Sequence, residues 1–307
     1  MSVARKRTTL DFKMANDLVI LGSASSLAPA AATAFPPHLQ AATGALVPGA
    51  AVTFTPGAAR IANVTDSPAL RAAMAAFAQQ HEVDAVLVDS QRRLTDFKLV
   101  AMDMDSTLIT IECIDEIADY CGLKAEVSAI TEAAMRGEIK DFNESLTRRV
   151  ALLKGLDAGA LEKVFDERLQ LSPGAQDMLC GVQSLGIRTL LVSGGFTFFT
   201  ERLKARLNLD VTRANTLEIV DGKLTGRVLG EIVNAEVKAR TVAEVAAQFG
   251  ARPDQAIVMG DGSNDLQMMA IAGLSVAFRA KPVVREKASV AFNYAGLDGL
   301  LSLFRKD

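Results

Sequence analysis

Four short, almost continuously apolar segments constrain this chain most: Lys98 to Met102, Arg188 to Val192, Ala256 to Met259 and Leu274 to Phe278. Strands without polar alternation need cover on both faces, and amphipathic helical stretches follow most of these four. That alternation predicts an α/β fold with a doubly wound, mostly parallel, Rossmann-like sheet. Between the first two segments lie about eighty residues, far more than one crossover needs. Helical periodicity over Ala125 to Met135, Phe142 to Leu153 and Ala158 to Leu169 predicts an inserted helical cap at about residues 112–172. Ser172-Pro173 reads as an N-cap with Pro at the first helical position, and Asp221-Gly222 as a tight hairpin turn.

Residues 1–95 follow a different pattern. Strands Leu18 to Leu21, Ala51 to Phe54, Arg60 to Val64 and Ala85 to Val88, with a helix Pro68 to Gln80, predict a small α+β ferredoxin-like domain. Asp89-Ser90-Gln91-Arg92-Arg93 is the linker candidate, leaving 96–307 as the second domain. The run from Leu18 to Ala59 has no Asp, Glu, Lys or Arg, which raises a membrane span. Five of the nine prolines interrupt it, however, so a helix of the roughly 20 residues needed cannot form. Leu18 to Leu21 is also too short for the apolar part of a secretory signal. The expectation is a cytoplasmic protein with no membrane partner.

Thirty-three Lys and Arg against 36 Asp and Glu leave a net charge of -3, which excludes the basic excess of a nucleic-acid binder. Three cysteines without a CxxC pair, and only two histidines, argue against a disulfide scaffold or a Cys/His zinc site. Any metal would be a hard ion held by carboxylates.

The strand ends carry what such a site needs. Asp103-Met104-Asp105-Ser106-Thr107 follows the first strand, Ser193-Gly194-Gly195 ends the second, and Gly260-Asp261-Gly262-Ser263-Asn264-Asp265 follows the third. In open α/β sheets ligands bind at these carboxyl ends. Lys238, on a helix starting near Asn234, adds a cation. Carboxylates, one lysine, a hydroxyl and glycine-exposed amides suit phosphoryl transfer. Each cluster alone reads as an ordinary strand-to-helix turn, Lys238 alone as a solvated helix lysine, and Glu112 and Arg149 as surface charges. Cys113 reads as a buried structural thiol.

Taken together and in order, the four motifs resemble those of the haloacid dehalogenase superfamily. Glu112, Met135-Arg136-Gly137-Glu138 and the stretch Phe142 to Leu153 narrow the likeness to its phosphoserine phosphatase family, over about Lys98 to Asp298. That resemblance implies Mg²⁺-dependent hydrolysis of O-phospho-L-serine to L-serine and phosphate, the last step of serine biosynthesis, through an aspartyl-phosphate. Asp103 would be the nucleophile and Asp105 the general acid and base. Mg²⁺ would sit on Asp103, the backbone carbonyl of Asp105 and Asp261. Ser193, Gly194 and Lys238 would hold the phosphoryl group, with Asn264 and Asp265 orienting the lysine, the water or the metal shell. Arg149 and Glu112 would take the substrate carboxylate and ammonium, while Met135 and Phe142 would close the cap.

By the same likeness, the stretch Ile139-Lys140-Asp141 carries one extra residue, affecting cap closure or the placement of Met135. The N-terminal module resembles the ACT-related regulatory domains of some bacterial members, which would make an amino-acid effector and a second copy of the chain its partners. Two alternatives stay open. One is a related phosphatase or phosphotransferase for another small phosphomonoester; the other is a binding protein whose N-terminal module senses an amino acid.

Overall fold

The computed structural model describes residues 16–22, 35–135, 138–139 and 141–305. The first unit runs β1 (Asn16–Leu21), α1 (Pro37–Leu46), β2 (Val52–Thr55), β3 (Ala58–Val64), α2 (Pro68–His81) and β4 (Asp84–Asp89). Its antiparallel sheet has the order β2-β3-β1-β4, the βαββαβ arrangement of the ferredoxin-like fold. Ser67 caps α2, its side chain accepting from the Leu70 amide, and Pro68 stands at the first helical position.

The apolar character of β1 has a physical reason. Leu18 and Ile20 face the module's own helices with Phe35, Ile61, Met74 and Phe77. Val19 and Leu21 point the other way and join the core of the second unit with Ala58, Val86, Phe97 and Phe292. A strand buried on both faces carries no alternation, which explains its part of the charge-free run. Residues 23–34 of that run lie outside the described residues.

Two buried aspartates fasten the units together. Asp84, at the start of β4, accepts from the amides of Asn293, Tyr294 and Ala295 at 2.8, 3.0 and 2.8 Å. Asp17, on β1, receives Arg60 at 2.8 Å and two bonds from Arg305, both at 2.8 Å. Arg60 also reaches the Ser302 carbonyl at 2.9 Å.

The second unit contains β5 (Leu99–Met102), four cap helices α3 (Cys113–Tyr120), α4 (Lys124–Met135), α5 (Phe142–Leu152) and α6 (Gly159–Glu167), then α7 (Ala175–Ser184), β6 (Arg188–Phe196), α8 (Thr197–Leu207), β7 (Val211–Val220), β8 (Lys223–Leu229), α9 (Ala235–Gln248), β9 (Ala256–Gly260), α10 (Leu266–Ile271), β10 (Leu274–Phe278) and β11 (Val290–Phe292). The sheet order is β11-β10-β9-β5-β6-β7-β8, parallel except for the β7/β8 hairpin. The chain winds from β5 through β6 to β7 on one side, then returns to β9 on the other. The carboxyl ends of β5, β6 and β9 thus flank a switch point.

Three details differ from expectation. The cap holds one helix more than the periodicity predicts, α3, an amphipathic segment that buries Cys113, Ile114, Ile117 and Ala118. The helix expected to start at Ser172-Pro173 starts instead at Ala175, with Gly174 as its N-cap at φ 73°. Tertiary bonds hold the preceding backbone out of the helix: the Ser172 amide donates to the Leu108 carbonyl and the Leu297 amide to the Pro173 carbonyl. The second strand, expected over Arg188 to Val192, runs on to Phe196, because β6 bulges through Ser193 to Gly195 and pairs with β7 again before α8 starts at Thr197. The Asp221-Gly222 hairpin is present, with both residues at positive φ as a mirror-image turn requires.

The fastening of the module carries a pH dependence. Burial pushes the Asp17 carboxyl up, but the bonds from Arg305, the Asn63 amide and Arg60 outweigh it and hold it below the usual carboxylate range. A carboxylate with a depressed folded pKa stabilises fully above its unfolded pKa of about 3.9, and that stability is lost as pH falls through the folded value. Asp17→Asn should lower the unfolding free energy by about 1–3 kcal/mol at pH 7. In urea titrations followed by circular dichroism the gap from the parent should narrow below about pH 4.

Candidate active site

Immediately after β5 the chain bends. Asp103 is extended, Asp105 is extended at φ -63° and ψ 136°, and Ser106 turns into the left-handed region at φ 54°. In a regular strand Asp103 and Asp105 would share one face but lie a full repeat apart. The turn instead brings both into one pocket. Asp103 Oδ1 accepts from the Met104 amide at 2.7 Å, and Asp105 Oδ1 accepts from the Cys113 amide at 3.1 Å, so the start of α3 orients the second carboxylate. The strained Ser106 donates its hydroxyl to Glu112 at 2.7 Å.

Lys238, on the first turn of α9, is completely buried, with Nζ 2.6 Å from Asp103 Oδ2 and 2.8 Å from Asp265 Oδ1. Asn234 caps that helix, its side chain accepting from the Val237 amide at 3.1 Å. Asp265 Oδ2 accepts the Gly262 amide at 3.0 Å, so both its oxygens are engaged within the protein. Asp261 Oδ1 accepts from the Thr107 hydroxyl at 3.0 Å.

Charge is not balanced here. Asp103, Asp261 and Asp265 bring carboxylate oxygens within 4.8 Å of one another, with one ammonium against three carboxylates. Burial and the neighbouring Asp265 push Asp103 well up, against the pull of Lys238. Burial, with Asp265 and Glu112, pushes Asp261 up to about 6. Burial opposes the charge on Lys238, but Asp103 and Asp265 outweigh it and the ammonium is retained. A divalent cation would cancel the surplus, and the hard oxygen donors suit one. Asp103 and Asp261 border the cavity and are the carboxylates that can reach it; Asp265 lies buried behind them between Lys238 and Gly262.

Asp105 is pushed up to about 7 by burial and then by the charge of Glu112, against the stabilising contact with Cys113. A carboxyl poised there can give and take a proton near neutral pH. Gly195, on the β6 bulge, makes room for it: a Cβ at that position would stand 2.6 Å from Asp105 Oδ2 and 2.8 Å from Met104 Cε.

These groups border a cavity of about 520 Å³ between the sheet edge and the cap. Asp103, Asp105, Gly194, Asp261 and Asn264 line its floor, and Glu112, Phe142 and Arg149 line its cap side. Ser193 and Asp265 are buried beneath the floor. Phe142 sits over Gly194, where a Cβ would meet its ring at 2.9 Å. Met135 ends α4; its side chain lies outside the described residues, as do residues 136–137 and 140 around the expected extra residue. Thr107, Ser106 and Asp115 also belong to the site. The first two stand in the same five-residue motif as Asp103 and Asp105, whereas Asp115, one helical turn beyond Glu112 on α3, carries no sequence signal of its own.

The haloacid dehalogenase-like hydrolase model matches residues 100–270. A phosphoserine phosphatase of Polaromonas sp. is 57% identical over 217 residues, covering 69% of this chain and 92% of its own. The chain belongs to the haloacid dehalogenase-like hydrolases, in their phosphoserine phosphatase family. A haloacid dehalogenase-family hydrolase from Salmonella enterica serovar Typhi superposes with a TM-score of 0.82 at 32% identity, over 95% of this chain and 99% of that one. A phosphoserine phosphatase captured as a phospho-aspartyl intermediate analogue matches with a TM-score of 0.64 at 38% identity, over 68% of this chain and 99% of that one. Among the described residues no helix is long and apolar enough to cross a membrane.

The tight seat of Gly195 in this phosphatase site gives a sharp test. Gly195→Ala should displace Asp105 and lower kcat for a phosphomonoester about 10²-fold. Thermal unfolding should move little, because the two atoms in the way, Asp105 Oδ2 and Met104 Cε, are the far ends of side chains that can turn aside.

Proposed function

We propose that this protein hydrolyses O-phospho-L-serine to L-serine and phosphate through an aspartyl-phosphate on Asp103. The observation that carries the substrate choice is Arg149. Its side chain lines the cavity from the cap helix α5, half-buried, and among the described residues its buried Nε has no hydrogen-bond partner. Burial pulls its pKa down, yet Asp115, Glu112 and Asp105 favour the charge. A buried cation with an open donor calls for an anion from the ligand, and the neighbouring Glu112 calls for a cation. An amino acid offers both on one carbon. The phosphoryl end fits the floor, so the ligand is a phosphoamino acid small enough for the cavity.

The chain's own residues divide the work. Lys238 keeps a carboxylate oxygen of Asp103 in place, and Asp103 attacks phosphorus, forming the Asp103–phosphorus bond as the bond to the seryl oxygen breaks. Asp105 gives its proton to that leaving oxygen. In the second half Asp105 takes a proton from the incoming water, which releases phosphate and restores Asp103. Ser193 and Gly194 hold phosphoryl oxygens, and Asn264 sits at the rim of the same floor. Asp103, Asp261 and the backbone carbonyl of Asp105 would hold Mg²⁺, which supplies neutralising charge for the phosphoryl oxygens. Phe142 excludes water from the cap side. The likeness to the phospho-aspartyl analogue supports this sequence of steps.

Phosphate release from L-phosphoserine, measured with Mg²⁺ and after chelation, tests the reading. Turnover should vanish with chelator and return on adding Mg²⁺. Asp103→Asn should lose at least about 10³-fold in kcat, and undiminished turnover would sink the nucleophile assignment. Arg149→Ala should lose about 10²-fold in kcat/KM for phosphoserine while p-nitrophenyl phosphate turnover stays within a few-fold. Equal losses on both substrates would remove Arg149 from carboxylate recognition.

A further inference from the structure

Outside the four motifs, one buried side chain ties together two of the elements that hold the phosphoryl group. Asn215 lies on β7 and is 1% exposed. Its Nδ2 donates to the Gly194 carbonyl at 2.7 Å, and its Oδ1 accepts from the Val233 amide at 2.8 Å. A carbonyl only accepts and an amide N–H only donates, so the two partners fix which way the Asn215 amide faces. Gly194 belongs to the β6 bulge. Val233 directly precedes Asn234, the N-cap of the helix that carries Lys238.

The bulge explains why a side chain is needed at this point. β6 and β7 pair regularly up to Val192 opposite Arg213 and resume at Phe196 opposite Asn215. Ser193, Gly194 and Gly195 therefore face a single β7 residue, and the ladder cannot serve the Gly194 carbonyl. The Asn215 amide takes the place of the missing ladder donor.

That bond sets a direction. In a trans peptide the N–H lies opposite the C=O, so anchoring the Gly194 oxygen on Asn215 aims the Gly195 N–H to the other side. There it donates to Ser193 Oγ at 2.8 Å. With that lone pair occupied, the Ser193 hydroxyl proton is turned away from Gly195 and is free to donate to a phosphoryl oxygen. At its other end Asn215 holds the entry to α9, so one amide sets Ser193 and Lys238 relative to each other.

We propose that Asn215 is a positioning residue for phosphoryl transfer, acting through the Gly194–Gly195 peptide on the Ser193 hydroxyl. This rests on the phosphatase reading above and adds to it a group that never touches substrate. The test compares the parent, Asn215→Asp, Ser193→Ala and the double variant. Asn215→Asp keeps the shape of the side chain and the acceptor for Val233, and sets a carboxyl oxygen, charged when ionised, where the amide donor faced the Gly194 carbonyl. Turnover of phosphoserine and of p-nitrophenyl phosphate is measured, with inhibition by inorganic phosphate and by L-serine.

The expected result is a fall in kcat of about 10- to 100-fold and a rise of about tenfold in the phosphate inhibition constant, with L-serine inhibition unchanged. The double variant should lose little more than Ser193→Ala alone, because the two changes break one chain of contacts. Additive losses, equal weakening of phosphate and serine, or unchanged kinetics in folded Asn215→Asp would overturn the proposal. If Asn215→Asp does not fold, Asn215→Ser is read by the same comparisons, and failure of both to fold assigns Asn215 to the scaffold alone and overturns it. A parent that turns over p-nitrophenyl phosphate but not phosphoserine would overturn the substrate reading, while the cycle with Ser193 still decides the role of Asn215.

Discussion

Everything at this site depends on one buried ammonium. Lys238 sits between Asp103 and Asp265 with no exposure to water, in a position where each isolated charge would cost several kcal/mol. Such an arrangement is a poor way to stabilise a fold, since apolar residues of similar volume would serve as well or better. Its value is chemical. The lysine gives a buried carboxylate a reason to stay ionised and leaves it aimed. Asp265 in turn holds the lysine, and the Gly262 amide holds Asp265, so Asp103 is fixed through three elements rather than by its own strand alone.

The same economy separates the roles of acids that a sequence cannot tell apart. Asp103 faces a cation. Asp105, two residues on, faces Glu112 and the start of α3, and its proton is held up to about 7. Asp261 is tied to the Thr107 hydroxyl and borders the open cavity. In the proposed mechanism the parts of nucleophile, proton carrier and metal ligand therefore follow from the neighbours each carboxylate meets. Selectivity is assembled separately, on α3 and α5, so the phosphoryl chemistry and the recognition of the amino-acid part reside on different elements. Asn143, at the first turn of α5, accepts from Asn234 at 3.2 Å, which sets the recognition helix directly against the helix of Lys238.

Much of this was legible because strand ends announce themselves. A buried parallel strand is apolar to its last residue, so the first polar group after it marks the ligand edge, and Asp103, Ser193 and Asp261 were readable on that ground. Lys238 was readable only through the ensemble, since a lysine on an amphipathic helix has no local sign of burial. Asn215 left no sign at all: its importance comes from a bulge in the neighbouring strand, and a bulge depends on pairing register that the residues of β6 do not encode by themselves. The same is true of Gly174, whose left-handed cap displaced the helix start from Ser172 because distant residues, Leu108 and Leu297, claim the backbone before it.

The topology also bears on how the N-terminal module can influence catalysis. Asp84, Asp17 and Arg60 fasten it to residues 293–295, to Arg305 and to Ser302, beside β11 at one edge of the sheet. The cap is tied to the opposite edge, where Gly155 and Ala158 donate to Leu224 and Gly222 of the β7/β8 hairpin at 2.7 and 2.8 Å. Five strands stand between β11 and β8. Among the described residues, these bonds of the module and those of the cap therefore lie at opposite edges of the sheet. The paired strands β11, β10 and β9 lead from those contacts to Asp261 just beyond the carboxyl end of β9, and the shared core of Val19, Leu21, Ala58 and Val86 with Met102 and Met104 leads to Asp103 and Asp105, so the module is joined to the floor of the cavity along two lines of packing.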